Sequence, residues 1–252
     1  MEMDESQQSS SKNKVYYVLS ELRPHTSIYR YMDLDFFLCM LKRKKLYVSK
    51  RRTFHDKDEK QLPIKFFLPP HVVNTKQPNL KEETEAIMEK WRSYRETGDW
   101  PVSCWTLRND ENYLMWKSYT TKFGVRIATT IDTLVDSITP NNYNIWCGQL
   151  TYKGFHAVQE IGEMLFSKSA YYSNEEEVRF YFEPKSANLF DDTASDNGIE
   201  IPLKLTVGGH HVFSEVVLSP FIKNDAAKVL CEMLQNMDEL KDCQIKKSHI
   251  RI

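Results

Sequence analysis

The chain has 252 residues, of which 41% are apolar, 12% aromatic and 27% charged. This composition excludes a disordered chain and suffices for one large hydrophobic core, so we expect a single domain that folds by itself. The 34 lysines and arginines nearly cancel the 35 aspartates and glutamates, so no net charge indicates nucleic acid or acidic lipid as the partner.

The sequence lacks the features of a membrane or secreted protein. No apolar stretch approaches the roughly 20 residues that cross a bilayer, and the first residues are acidic and polar. The 5 cysteines are widely spaced and form no CxxC pair, which fits reduced thiols better than disulfides or zinc. We therefore expect a cytoplasmic protein with no membrane contact and no metal site.

The N-terminal part predicts a tail, a helix, a strand and an insertion, in that order. Residues 1–14 are polar and rich in Ser and Gln, which is typical of a disordered tail, so the domain is placed at residues 15–252. A helix is expected after Asp33, where apolar residues recur at helical spacing, and a strand is expected directly after it. Residues 61–101 predict a helical insertion that follows a proline-containing loop.

The rest of the chain predicts an α+β fold, with a mixed, mostly antiparallel sheet and flanking helices. The expected strands lie at 102–107, 124–129, 145–152, 175–182, 199–205, 212–218 and from residue 244. The expected helices lie at 111–121, before residue 167 and at 225–237.

The charged segment 175–182 makes the sharpest geometric prediction. Side chains alternate in a strand, so Glu175, Glu177 and Arg179 share one face, while the apolar residues between them point to the core. The polar face either presents its charges to a polar ligand or forms a solvated surface of cross-strand ion pairs. Glu176 tests the register, because it should point away from the polar face.

Two segments near the first predicted helix are candidates for ligand contact. An arginine between aromatics, as in Tyr29-Arg30-Tyr31, can bind a phosphate or carboxylate through two hydrogen bonds, or it can lie on the surface beside anchoring rings. The acidic loop around Asp56 can bind a metal, although a solvated charged loop fits the segment better.

Aromatic and basic residues supply the remaining candidates. The rings of Trp116 and Tyr119 can stack on a nucleobase or nicotinamide, or pack in the core. Lys168 precedes the charged strand and would complete a polar pocket. The basic runs 42–45 and 50–52 can touch phosphate or lie solvated at the ends of elements.

The order of these motifs resembles a large, mainly prokaryotic family, the domain of unknown function 2971. The family opens with an aromatic segment, a strand and an acidic loop, matched at 29–31, 46–49 and 54–59, although the loop departs from the pattern at His55. Its middle motif is matched by Cys104, Asp110, Leu114, Met115, Trp116, Tyr119 and Gly124. Its "KS..W.YEKEWR" motif is matched by Lys168, Ser169, Tyr172, Glu175, Glu177 and Arg179.

The same order is also similar to that of ADP-ribosyltransferase-like proteins, which have a late Glu-x-Glu strand. That resemblance implies an NAD-using transferase or glycohydrolase with Glu177 and Glu175 as catalytic carboxylates. Arg30 would hold the pyrophosphate, and Tyr119 or Trp116 would face nicotinamide. Because compact NAD-directed enzymes often serve in bacterial defence, such a role is one expectation.

Two alternatives stay open beside the NAD-using enzyme. One is a non-catalytic module that binds a nucleotide, a small molecule or a protein partner. The other is a magnesium-dependent nuclease, which would need Asp56 and Glu59 to converge with Glu175 and Glu177. A carboxylate pKa raised by burial would favour acid–base chemistry, whereas one lowered by Arg179 would favour ligand holding or a structural role.

Overall fold

The computed structural model of the chain describes residues 14–17, 22–50, 53–54, 100–139, 142–152, 165–185 and 197–252. Residues 1–13 of the predicted tail, the predicted insertion up to residue 99, the acidic loop with Asp56 and the predicted helix before Ser167 lie outside these residues. None of the described helices is long and apolar enough to cross a membrane.

The described chain contains twelve strands and four α-helices. The strands of the first half are β1 Lys14–Tyr17, β2 Ser27–Asp33, β3 Lys45–Lys50, β4 Pro101–Thr106, β5 Gly124–Thr130 and β6 Tyr143–Gln149. Those of the second half are β7 Glu177–Pro184, β8 Gly198–Pro202, β9 Thr206–Val207, β10 His210–His211, β11 Glu215–Leu218 and β12 Gln244–Lys247. The helices are α1 Leu34–Arg43, α2 Tyr113–Tyr119, α3 Ile131–Ser137 and α4 Asn224–Gln235, with short 3₁₀ helices at Ala170–Glu175 and Asp238–Leu240.

Ten of the described strands form one mixed, mostly antiparallel sheet, which confirms the predicted α+β class. Its main path runs β1-β6-β7-β4-β2-β5-β11-β12, and β3 pairs with both β4 and β8. Only the β1–β6 and β11–β12 ladders described in this sheet are parallel. Strands β9 and β10 form a separate hairpin, whose turn places Gly208 and Gly209 at positive φ.

Strand β4 changes its neighbour along one edge. It shares a single residue pair with β2, Tyr29 with Thr106, and two pairs with β3, Ser49 with Val102 and Lys50 with Pro101. Its other edge pairs with β7 over five residues. A gap therefore opens between β2 and β3 beside the middle of β4, and we call this gap the fork.

Strand β7 is buried on both faces. Its alternate residues Val178, Phe180 and Phe182 join the main hydrophobic core, as the sequence pattern predicts. On the other face, Tyr181 joins a second apolar cluster with Val102, Leu150, Leu165 and Phe166. All residues from Glu177 to Phe182 are consequently buried, and the polar face of β7 is covered by protein.

Several element boundaries differ from the sequence prediction, and strand β2 was not predicted. The charged strand begins at Glu177, because the preceding residues form a 3₁₀ helix that ends when Glu176 adopts φ 43. Helix α2 is shorter than predicted, because the Asn112 side chain caps its start by accepting hydrogen bonds from the backbone N–H groups of Leu114 and Met115. Helix α3 was not predicted; it is capped by Thr130, which accepts a hydrogen bond from the N–H of Thr133.

Candidate functional site

A cavity of about 440 Å³ lies at the fork and along the polar face of β7. This volume falls within the roughly 300–1,000 Å³ that is typical of small-molecule sites. Seven of the nine residues predicted for the site line it: Tyr29, Arg30, Tyr119, Lys168, Glu175, Glu177 and Arg179. The structure therefore brings together predicted side chains from β2, α2, the 3₁₀ helix Ala170–Glu175 and β7, with Lys168 from the loop before that 3₁₀ helix.

The Glu177 carboxylate lies at the centre of a buried ionic network. Its Oε1 accepts a hydrogen bond from Arg179 Nε at 2.7 Å, and its Oε2 accepts from Arg179 Nη2 at 3.2 Å. Lys168 Nζ donates to the same Oε2 at 3.0 Å. Arg179 also donates to the carbonyl of Leu165 at 3.3 Å, which fixes the guanidinium between the strand and its covering segment. Two cations therefore hold one carboxylate, in the geometry of strong charge-assisted hydrogen bonds.

Glu175 extends this network toward the mouth of the cavity. It accepts hydrogen bonds from Lys168 Nζ at 2.7 Å and from the hydroxyl of Tyr119 at 2.8 Å. Lys168 thus bridges the two carboxylates, and its ammonium lies 4.6 Å from the centre of the Tyr172 ring. A continuous chain of hydrogen bonds runs from Arg179 through Glu177, Lys168 and Glu175 to Tyr119.

The pKa of Glu177 reflects a balance between burial and its cationic partners. Burial alone would raise this pKa, but the charges of Arg179 and Lys168 and the hydrogen bond from Arg179 outweigh burial and lower the pKa to about 2. Glu177 is therefore ionised at neutral pH, and a general-acid role is excluded. Burial raises the pKa of the Tyr119 hydroxyl, so this group is protonated and donates to Glu175.

The turn before β7 positions the two carboxylates. The backbone carbonyl of Glu175 accepts from the hydroxyl of Thr106 at 2.5 Å, and that of Glu176 accepts from the N–H of Leu107 at 3.0 Å. The Glu176 side chain pairs with Arg108 at 2.8 Å and does not line the cavity. Glu177 faces the cavity, so the predicted register is confirmed, although Glu175 reaches it from the 3₁₀ helix and not from the strand.

Arg30 lines the cavity at the fork. Its Nη1 donates to the hydroxyl of Ser103 at 3.1 Å, and its guanidinium lies 5.9 Å from the centre of the Trp105 ring. Burial lowers the pKa of the Arg30 guanidinium, partly offset by the neighbouring Cys104. Among the described residues no carboxylate forms an ion pair with Arg30.

Aromatic side chains form much of the remaining wall. Tyr29 is anchored by its hydroxyl, which donates to Asn109 at 2.7 Å, and its ring lies 4.0 Å from the Arg126 guanidinium. The Phe54 ring lies 5.3 Å from the Arg179 guanidinium. The other rings that line the cavity belong to Tyr31, Trp105, Tyr119 and Tyr172.

Two of the predicted site residues are not placed in the cavity. Trp116 is fully buried, donates to Glu111 at 3.1 Å and packs edge-on against Tyr31, so its ring is not exposed to a ligand. Asp56 lies outside the described residues. Within the described part of the chain, no group of three or more His, Cys, Asp and Glu side chains is arranged to hold a metal ion.

Two contributors to the site were not predicted from the sequence. Ser103 accepts from both Arg30 and Trp105 Nε1, the latter at 2.9 Å, and Tyr152 accepts from the backbone N–H of Glu177 at 2.7 Å. A serine between apolar residues of a strand is a usable signal, because a buried hydroxyl requires a partner. The sequence around Tyr152 does not indicate its role, since its partner is a backbone group 25 residues away.

The fold and the cavity define an α+β protein with a charged, aromatic-lined pocket. Comparison of the chain with protein-family models, with curated proteins and with solved structures found no match in any of the three. The resemblances to the domain of unknown function 2971 and to ADP-ribosyltransferase-like proteins therefore remain predictions.

Proposed function

We propose that the cavity binds a small phosphate-bearing molecule of the nucleotide class. The environment of Arg30 carries this proposal, because its partly buried guanidinium donates to a neutral hydroxyl and forms no ion pair with a described carboxylate. Shielding a charge from water without a counter-charge is costly, and an anionic ligand would supply the counter-charge for Arg30. The planar guanidinium also matches a phosphate group in a two-pronged geometry.

The charges and rings around Arg30 support the same ligand class. Three cations, Arg30, Lys168 and Arg179, line the cavity with two carboxylates, Glu175 and Glu177, so the described lining carries a net positive charge. The aromatic wall offers faces on which a base or a nicotinamide ring can stack. Because Arg179 and Lys168 already hold Glu177, Arg30 is the cation with the most capacity for a new anionic partner.

Binding of ATP, ADP-ribose, NAD and unphosphorylated adenosine, measured by isothermal titration calorimetry, tests the proposal. Replacing Arg30 with alanine should weaken binding of the phosphate-bearing ligands by about 10- to 100-fold, since a hydrogen bond to a charged group contributes roughly 1.5–3 kcal/mol. The affinity for adenosine, which has no phosphate, should fall much less. The matched control is Arg23→Ala, because Arg23 is exposed and does not line the cavity. If the wild-type protein binds none of the phosphorylated ligands, the proposal is wrong.

As a second candidate we propose cleavage of NAD at its nicotinamide bond, followed by transfer to water or to an acceptor. The supporting observation is an ionised, buried carboxylate, Glu177, in the wall of the cavity. A fixed negative charge stabilises the oxocarbenium-like state that forms as nicotinamide leaves. The candidate ranks second because Arg179 and Lys168 neutralise much of that charge.

Nicotinamide release from NAD is the measurement for this second candidate. Glu177→Gln should lower the rate by about 100-fold or more and change the dissociation constant of NAD by less than about threefold, because the removed interaction would act mainly in the transition state. Glu176→Gln is the control, since Glu176 pairs with Arg108 outside the cavity. Failure of the wild-type protein to release nicotinamide, with several acceptors present, would count against NAD cleavage and leave nucleotide binding intact.

A further inference from the structure

A cluster of cations lies where α1 ends and β3 begins. We call it the basic corner, and it consists of five exposed residues: Lys42, Arg43, Lys44, Lys45 and Lys204. The first four are consecutive. Lys204 is distant in sequence and is brought to them because the N–H of Leu203 donates to the carbonyl of Lys44 at 2.8 Å.

The basic corner keeps an excess of positive charge. Glu200 accepts from Arg43 at 2.9 Å and from Lys45 at 3.1 Å, so one carboxylate serves two of the five cations. Asp136 lies beside Ser137, whose carbonyl accepts from the N–H of Lys204 at 2.7 Å. With both of these carboxylates counted, three positive charges remain at this surface among the described residues.

The outward face of β3 connects the basic corner to the cavity. Side chains alternate along this strand, so Lys45, Tyr47 and Ser49 share one face while Leu46 and Val48 are buried in the core. Ser49 lines the cavity. At roughly 3.3 Å per residue, the four steps from Lys45 to Ser49 cover about 13 Å, which is enough for a few nucleotides at about 3.4 Å each when stacked.

Tyr47 presents a ring in the middle of this path. It is 45% exposed and lies against the backbone at Gly198, where a Cβ atom would fall 2.6 Å from its hydroxyl oxygen. The ring is therefore supported on one side by β8 and open on the other. An exposed ring beside cations is the arrangement by which proteins bind single-stranded nucleic acids, with bases stacking on rings and phosphates contacting cations.

We propose that the basic corner and the outward face of β3 bind a single-stranded nucleic acid, whose terminal nucleotide enters the cavity. This inference rests on the proposed function, since it takes the cavity as a nucleotide site. Phosphates contact Lys42, Lys44 and Lys204, and a base stacks on Tyr47. The ligand class is thus narrowed from free nucleotides to the end of a polynucleotide strand.

The test compares a labelled 12-nucleotide single strand, followed by fluorescence anisotropy, with a mononucleotide, followed by calorimetry. The variant Lys42→Gln/Lys44→Gln/Lys204→Gln should weaken oligonucleotide binding by about 10- to 100-fold. The negative slope of log K against log salt should also shrink in magnitude by about 2, since each phosphate neutralised by a lysine contributes roughly −0.7 to that slope. Mononucleotide binding should change by less than about twofold. Tyr47→Ala should weaken oligonucleotide binding by about fivefold or more.

A control variant separates the basic corner from net charge. Lys223→Gln/Lys228→Gln/Lys241→Gln removes the same charge from exposed positions around α4, and oligonucleotide binding should stay within about twofold of wild type. Equal losses in the two triple variants would overturn the proposal.

The arms of the experiment also separate this inference from the proposed function. If mononucleotides bind but the oligonucleotide binds no more tightly, the inference is overturned and the proposed function stands. If the oligonucleotide binds through the basic corner but Arg30→Ala leaves its affinity unchanged, entry of the strand into the cavity is overturned. If vesicles with anionic lipid bind at the basic corner and the oligonucleotide does not, the surface recognises lipid and the inference is wrong.

Discussion

Replacing Arg179 with methionine should destabilise the folded protein by about 3–5 kcal/mol, the cost of breaking a buried ion pair from one side. Arg179 is fully buried and donates two hydrogen bonds to Glu177 and one to the carbonyl of Leu165. Methionine fills much of the same space but supplies no charge and no donor. Among the described residues, Glu177 would then keep Lys168 as its one ionic partner. Urea unfolding at pH 7, followed by tryptophan fluorescence and circular dichroism, measures the change in the free energy of unfolding.

Two further variants test whether the loss of stability comes from the buried pair of Arg179 and Glu177. Arg43→Met removes an exposed arginine that also pairs with a glutamate, and should cost no more than about 1 kcal/mol. Adding Glu177→Gln to Arg179→Met should restore part of the stability, because the ionised carboxylate that lacks its partner is then removed as well. An Arg179→Met protein as stable as wild type would show that the buried pair contributes nothing.

The alternation of β7 was predictable from the sequence, but its environment was not. A period of two is a local property, so it assigned Glu177 and Arg179 to one face and the apolar residues to the other. That the polar face is buried depends on Leu165 and Phe166, which cover it from another part of the chain. Sequence periodicity contains no information about such a long-range contact, so the solvated-surface alternative could not be excluded.

The positions of Arg30 and Glu175 also depend on features that sequence periodicity does not predict. Arg30 lies between two aromatics in the sequence, and simple alternation would place it on the opposite face from Tyr29 and Tyr31. It still lines the cavity, where β2 and β4 share one residue pair and then separate, and its guanidinium donates to Ser103, which is 73 residues away in the chain. Glu175 was predicted to share the strand's polar face, and it lines the same cavity as Glu177, but it lies in a 3₁₀ helix.

Acid should remove about 3 kcal/mol of stability through Glu177 alone. The folded-state pKa of Glu177 is lowered from 4.5 to about 2, because Arg179 and Lys168 outweigh the effect of burial. A lowered folded-state pKa means that the stabilisation is fully present above the unfolded pKa near 4.5 and is lost as the pH falls toward 2. A difference of about 2.5 pKa units corresponds to roughly 3 kcal/mol at 1.36 kcal/mol per unit.

The free energy of unfolding, measured in urea at pH 7, 5, 4 and 3, tests this expectation in the wild type and in Glu177→Gln. Other carboxylates with lowered pKa values, Asp132 and Glu200, also destabilise the fold in acid, so the informative quantity is the difference between the two proteins. Glu177→Gln should be less stable at pH 7, because Arg179 and Lys168 then lose the Glu177 charge, although Lys168 still pairs with Glu175. Its stability should nevertheless fall less steeply below pH 5. Parallel curves for the two proteins would mean that Glu177 titrates alike in the folded and unfolded chains. The network that links Arg179, Lys168 and Glu175 would then lack the electrostatic strength on which both the cavity and the core depend.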